Sequence, residues 1–387
     1  MSMTQLENAL AILNYENYES LPIVHFGFWP ETLLKWAEEG HISFEDARNW
    51  SDCSDADIRI GKKLGFDFNW GQTFGPHYRL DPPFEEKILE EDENGNMKVL
   101  NEDGVIVMKK RNVVSIPTEV DHFFKGRKEW EEEFRVKLDY SETRYLNALV
   151  PAGNRTLSLE DGGWDYLRNT EERERPLGLF AGSLIGFLRD FIGIVNLSYL
   201  MVDDPDLLIE IVQHVADLSY RTVKSILELG AKFEYMHFWE DICFKNGPLV
   251  NPSFFRDIIG PQYKRITDLA VKHGISIISV DCDGMIDHLL PHWLENGVNT
   301  MFPIEVGTWK ASIAPWREKY GREIRGVGGM DKTVFSRDIK AVESEVERLK
   351  ALVDLGGYIP CPDHRIAPDA SWDNVQYYCD LMRKNFC

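Results

Sequence analysis

The chain has 387 residues, with 43 Lys plus Arg against 64 Asp plus Glu and a formal net charge of −21. So acidic a surface repels phosphate backbones and anionic headgroups, and no basic patch interrupts it, so no nucleic acid and no membrane is expected as a partner. Hydrophobic residues at 43% and aromatic residues at 12% supply a large core, which excludes a disordered or fibrous class.

In chain order, Met1 to Asn14 has no basic n-region and no apolar run of signal-peptide length. No run of about 18 apolar residues occurs anywhere, so no bilayer-spanning helix is expected. Cys53, Cys243, Cys282, Cys361, Cys379 and Cys387 are scattered without a CxxC pair, which predicts reduced, mostly buried thiols and a cytoplasmic location. Pro22 to Pro30 is the first apolar run. Lys87–Glu90, Met97–Leu100 and Val105–Met108 read as short strands, separated by Asn94-Gly95 and Asp103-Gly104, which suit tight hairpin turns. Residues 80–120 are therefore expected to form an inserted β-meander over one face of a larger body, and His122 to Tyr140 a charged helical stretch.

From residue 176 onward, short apolar runs alternate with stretches of helical period, the mark of βα units. Strands are predicted at Leu177–Ala181, Phe233–Phe238, Ile275–Val280, Thr300–Ile304, Ile324–Val327 and Tyr358–Ile359. Helices are predicted at Asp203–Leu229, Ser253–His273, Ile286–Asn296, Arg337–Leu355 and Ser371–Phe386. This repeat predicts an α/β fold with a parallel sheet, closed as a barrel or open and doubly wound. No GxGxxG follows the first strand and no GxxxxGK[ST] occurs, which removes the main support for a nucleotide-binding open sheet.

Barrels and open α/β sheets both build their sites at strand C-termini. Five such ends carry reactive residue types: His237-Phe238-Trp239-Glu240-Asp241, Asp281-Cys282-Asp283-Gly284, Glu305, Asp331-Lys332 and Cys361-Pro362-Asp363-His364. Singly, an Asp after a strand is more often a helix N-cap than a ligand. Together, five ends of one closed sheet converge on a common axis. The i, i+2 spacing of Asp281 and Asp283 puts both carboxylates on one side and turns Cys282 away. Two convergent carboxylates call for a cation between them, and zinc accepts both imidazole and carboxylate, so Asp281, Asp283, Glu305 and His364 are the candidate metal ligands. Glu240, Asp241 and Asp331 are the candidate acid–base residues. The aromatic cluster points to a pocket for a flat or apolar ligand, for which His25, Phe28, Trp29, Trp70, His237 and Trp239 are the candidate lining residues.

The runs Pro176-Leu177-Gly178-Leu179-Phe180-Ala181-Gly182, Trp239-Glu240-Asp241, Asp281-Cys282-Asp283-Gly284, Gly328-Gly329-Met330-Asp331 and Gly356-Gly357-Tyr358-Ile359-Pro360 resemble the uroporphyrinogen decarboxylase superfamily. They are more similar to its corrinoid-dependent methyltransferase branch. The resemblance extends over most of the chain and is weakest in the hairpin segment. It implies a single TIM-type (β/α)8 barrel over residues 1–387, with the site at its C-terminal mouth. In the branch that methylates a thiol, a His-x-Cys pair and a distant Cys hold zinc. Here the resemblance puts Asp281 at the His, Asp283 at the first Cys and His364 at the last. Carboxylate and imidazole ligands make a harder Lewis acid than thiolates, one that prefers oxygen.

By this resemblance the chain is expected to be the methyltransferase component of an O-demethylase. It would take a methyl group from an oxygen of a small-molecule donor, an aryl methyl ether, and pass it to the cobalt of a partner corrinoid protein. Asp241 or Glu240 would protonate the departing phenolate or order the pocket. A homodimer is as compatible with the resemblance as a monomer. Two alternatives stand beside this reading. A decarboxylase of a porphyrinogen would require arginines near the first strand, and Pro22 to Pro30 contains none. A non-catalytic barrel that binds an aromatic or corrinoid ligand would require no stoichiometric metal.

Overall fold

The computed structural model describes residues 2–110 and 117–386. Residues 111–116 of the expected meander and Cys387 lie outside the described residues. Nine strands frame the site: β1 (Val24–His25), β2 (Phe68–Asn69), β3 (Thr73–Phe74), β4 (Gly178–Phe180), β5 (Tyr235–Trp239), β6 (Ile277–Asp281), β7 (Thr300–Phe302), β8 (Arg325–Met330) and β9 (Tyr358–Pro362). Seven of them form one parallel sheet in the order β9-β8-β7-β6-β5-β4-β3, and β1 pairs in parallel with β2. These strands come from near-continuous apolar runs because helices cover the outside and side chains fill the inside. All five residues of β6 are buried.

The covering helices follow their end signals. In the helix Pro205–Glu228, the Asp204 carboxylate accepts from Leu207 N–H at 3.1 Å, and Pro205 occupies the first turn, where its missing N–H costs nothing. Leu208, Ile211, Val212, Val215 and Leu218 repeat at helical spacing and are buried toward the sheet, each contributing about 1.5–3 kcal/mol of burial.

Closure is less regular than the sequence pattern predicts. The extended run from β2, which pairs with β1, to β3, which pairs with β4, is interrupted at Trp70 to Gln72. There the Tyr235 hydroxyl reaches in from β5 and lies 2.6 Å from Trp70 O and 2.9 Å from Gln72 O. Gly178 makes the room, since a Cβ on it would stand 2.5 Å from the Tyr235 ring. On the other side, a single parallel bridge joins Phe28 to Ile366. It is bonded by Trp29 N–H to Ile366 O and by Ile366 N–H to Gly27 O, each 3.1 Å. The architecture is thus a seven-strand parallel ladder whose edges are joined through the β1–β2 pair.

The expected meander is present as a four-stranded antiparallel sheet, Lys87–Glu91, Met97–Leu100, Val105–Lys109 and Thr118–His122. Its fourth strand was not signalled by sequence. Thr118-Glu119-Val120-Asp121-His122 has one apolar residue, and four of its five residues are exposed. Phe84 meets Phe123 and Phe134 with ring centroids 5.5 and 5.1 Å apart, and Phe134 stacks on Phe191 at 5.2 Å. Arg79 links Asp103 of this sheet to Asp190, at 3.2 and 2.9 Å. Asp190 and Phe191 belong to the helix Gly186–Ile192, which leaves the C-terminal end of β4. The helical stretch expected over His122 to Tyr140 is present as three contiguous helical segments, the α turn Arg127–Glu129, the π turn Trp130–Phe134 and the 3-10 turn Arg135–Leu138. Among the described residues, no helix is long and apolar enough to cross a membrane.

Candidate functional site

The C-terminal ends of β5 and β6 are in register, Trp239 opposite Asp281, so the residues that follow each strand emerge side by side. Asp241, Asp281 and Asp283 each present a carboxylate oxygen, all within 4.8 Å of one another. Asp283 N–H donates to Asp241 Oδ1 at 3.0 Å, and Asp283 Oδ2 lies 3.3 Å from His364 Nε2. The other oxygen, Asp283 Oδ1, is buried with no hydrogen-bond partner. Asp241 sits at φ +47°, a left-handed conformation unusual outside glycine, which turns its carboxylate in beside the other two. Its carbonyl accepts from the Arg189 guanidinium.

Burial, reinforced by the neighbouring carboxylates of Asp283 and Asp241, holds the Asp281 carboxyl well above the ordinary aspartate range. Asp241 is raised for the same reasons, burial first and then Asp283. Three crowded carboxylates with an orphaned oxygen and an imidazole at hand describe a site short of positive charge. The residues therefore fit a divalent cation with oxygen and nitrogen ligands.

The cluster opens on a cavity of about 300 Å³. Trp29, His237 and Trp239 line it together with Asp241, Asp281, Asp283 and His364, so seven of the residues singled out by sequence meet there. Trp29 stacks on His364 at 5.7 Å and 20°, which orients the imidazole toward Asp283.

Six others are placed elsewhere. The Glu305 carboxylate accepts from Gly284 N–H and from the Thr308 hydroxyl at 2.7 Å, so it braces the turn after Asp283 instead of joining the three aspartates. Glu240 is fully buried and faces away from the cavity. Its oxygens take the Ser183 hydroxyl, the Leu184, Ile185 and Gly186 N–H groups at 2.7–3.0 Å, and the Tyr263 hydroxyl. Asp331 caps the short helix Lys332–Ser336 through Thr333 N–H (3.0 Å) and the Thr333 hydroxyl (2.6 Å). His25 packs on Phe66 and Phe28, and burial lowers its pKa. Strand alternation sends His25 outward and Phe26 inward, and Gly27 at φ +82° then breaks the alternation, leaving Phe28 in the core. Trp70 stacks on Tyr235 at 4.9 Å and is buried in the core.

Sequence reasoning missed Asp52, Asn69, Phe302 and Arg365, all of which line the cavity, as does Phe26 of the aromatic group that follows the first apolar run. Phe26 and Phe302 meet edge to face at 4.5 Å. Arg365, beside His364, pairs with Asp52, whose Oδ1 also accepts from Asn69 at 3.2 Å. This pair crosses directly over Gly27, where a Cβ would stand 2.7 Å from Asp52 Oδ1 and 2.8 Å from an Arg365 nitrogen. The signal that could have pointed to Arg365 was its place next to His364 after the last strand; Asp52, far off in sequence, carried none.

The uroporphyrinogen decarboxylase (URO-D) family profile matches residues 144–385. The chain belongs to the URO-D family. In this URO-D chain the matched segment contains β4 to β9, and with them Asp241, Asp281, Asp283 and His364, whereas β1, Asp52 and Asn69 precede it. A solved structure, a methyltransferase from Methanosarcina mazei, is similar over 99% of both chains at 15% identity with a TM-score of 0.60. At that identity it bears on the fold alone, which is the TIM-type barrel of the family. A B12-independent methionine synthase from a Shewanella species aligns over 95% of this chain and 98% of its own at 11% identity and a TM-score of 0.44. No curated protein sequence matches the URO-D chain.

Proposed function

We propose that this URO-D-fold chain is a metal-dependent methyltransferase that removes a methyl group from an oxygen atom, that of an aryl methyl ether, for transfer to the cobalt of a corrinoid carried by a partner protein. The observation that carries the reading is the convergence of Asp241, Asp281 and Asp283 within 4.8 Å, with His364 at 3.3 Å from Asp283 and a buried oxygen left unpartnered. Asp241, Asp281, Asp283 and His364 would hold zinc. Bound there, the ion supplies Lewis acidity toward an ether oxygen, and oxygen-rich ligands suit that task better than thiolates.

The remaining work falls to the chain's own residues. Phe26, Trp29, Trp239 and Phe302 give the cavity apolar walls for a ring, which restrict its orientation and exclude water from the face they cover. The Trp29 stack and Asp283 fix the His364 ring, so its nitrogen is presented without a search over rotamers. Glu305 holds the Gly284 amide and thereby the turn that presents Asp283. The methyl group would leave toward the strand ends for a docked, reduced corrinoid, its bond to oxygen breaking so that the electron pair stays on the aryl oxygen, which then takes one proton to become the phenol product. A polycarboxylate such as a porphyrinogen is a poor fit, because four carboxylates line the cavity and its one guanidinium is engaged by Asp52.

The test mixes the protein with zinc, a methoxyarene and a reduced corrinoid protein and follows methyl–cobalt absorbance. The native chain should generate the signal and Asp283→Ala should not. A zinc-loaded native chain that gives none with any methoxyarene overturns the reading.

A further inference from the structure

At the base of the cavity, below the carboxylates, lies one polar pair. His237 and Ser279 are register partners on β5 and β6, two residues before Trp239 and Asp281, and so stand about 6.6 Å deeper in the barrel. His237 Nδ1 lies 3.2 Å from Ser279 Oγ, and no described residue hydrogen-bonds Nε2. His237 lines the cavity, so Nε2 is its free polar atom toward a ligand. Phe302 meets the imidazole edge to face at 5.9 Å, and burial lowers the imidazole's pKa to about 4, so the ring is neutral at neutral pH. The layout is an apolar-walled slot with a metal-binding rim and one uncharged hydrogen-bonding group at its floor.

The charges around the slot oppose an anionic ligand. Two positive charges from a divalent ion leave the three aspartates of the rim still net negative. The cations nearby are engaged: Arg365 pairs with Asp52, Lys332 Nζ donates to Arg365 O at 3.0 Å, and Arg189 donates to Asp241 O. Lys332 and Arg189 do not line the cavity. Nothing at the floor offers a charge to a carboxylate, and burying one there unpaired is costly.

We infer that His237, held by Ser279, selects aryl methyl ethers bearing a neutral hydroxyl opposite the ether, and that ethers with a carboxylate at that position are rejected. The inference rests on the methyl-transfer reading only for placing the ether at the carboxylate rim. The aryl hydroxyl would hydrogen-bond Nε2 and use the polar floor, whereas anisole leaves that nitrogen unpaired and 4-methoxybenzoate brings an anion into an anionic slot.

The test is calorimetric binding of anisole, 4-methoxyphenol and 4-methoxybenzoate to the zinc-treated protein without corrinoid. The phenol should bind about tenfold more tightly than anisole, the worth of one buried hydrogen bond, and the benzoate more weakly than the phenol by at least as much. His237→Phe should erase the phenol's advantage, read as the ratio of the phenol and anisole dissociation constants on the same variant falling to near one. Ser279→Ala, a smaller change, should lessen the same advantage and serves if the first variant does not fold. Equal binding of phenol and benzoate, equal binding of phenol and anisole, absence of binding by all three, or a phenol preference untouched by the substitutions overturns the inference. Bound 4-methoxyphenol that yields no methyl–cobalt once corrinoid is supplied counts against methyl transfer and leaves the His237 selection standing.

Discussion

Asp283 is the residue on which the site turns: one oxygen faces His364, the other is buried without a partner, and its amide is tied to Asp241. Replacing it with Ala should reduce bound zinc, read by elemental analysis after dialysis, to background. Glu305→Ala should act differently, because that carboxylate contacts the Gly284 amide instead of the cluster. It should retain the metal and weaken affinity about 10–100-fold in a chelator competition, the usual effect of losing a supporting contact. Asp331 gives a contrasting case. As a cap it stabilises the turn at Thr333, so Asp331→Ala should cost about 1 kcal/mol in urea denaturation and leave methyl transfer unchanged. Sequence did not separate these three carboxylates, since a cap, a brace and a ligand share the same position after a strand. Only the partner atoms of each tell them apart.

Among elements, the segment Ser183–Gly186 and the helix that follows are held by a single buried carboxylate. Glu240 takes three consecutive N–H groups, and Gly186 is in place because a Cβ there would meet Glu240 O at 2.1 Å. The helix Gly186–Ile192 then sets Phe187 against Trp239, with ring centroids 5.2 Å apart. Glu240→Ala should therefore destabilise the fold by at least about 3 kcal/mol, since it strands several buried donors at once, and should weaken aromatic binding through Trp239. Denaturant titration and ligand calorimetry on the one variant check both effects. The strands from β4 to β9 were legible because buried parallel strands are continuous apolar runs. The fourth meander strand and the β2–β3 interruption were not, because an exposed polar strand has no periodic signal and a ladder gap depends on partners distant in sequence. The Asp52–Arg365 pair was illegible for the same reason. It forms only when the first and last strands meet.

For the molecule as a whole, the carboxylate cluster and the net charge are linked. A chain of net charge −21 that gathers three of its carboxylates in one place carries self-repulsion, which the proposed cation would relieve. Zinc at about 100 times its dissociation constant should add about 2.7 kcal/mol to stability. In a thermal melt the native chain should rise by several degrees on adding zinc and fall back with a chelator. Asp283→Ala should show no shift, whereas a shift of equal size in that variant would place the ion elsewhere.

The interruption between β2 and β3 has its own consequence. The Tyr235 phenol lies 2.6 Å from the Trp70 carbonyl and 2.9 Å from the Gln72 carbonyl, which also accepts from Gly178 N–H at 2.9 Å. The Gly71 and Gln72 amides donate within the turn, to Asn69 Oδ1 at 2.8 Å and Asn69 O at 3.3 Å, and not across a strand ladder, so these two should be the first of the wall to admit deuterium under native conditions. Trp70 lies just past Asn69 and just before Gly71, both cavity-lining residues. The wall beside the cavity should thus be its least protected length, and Tyr235→Phe should speed deuterium uptake there further.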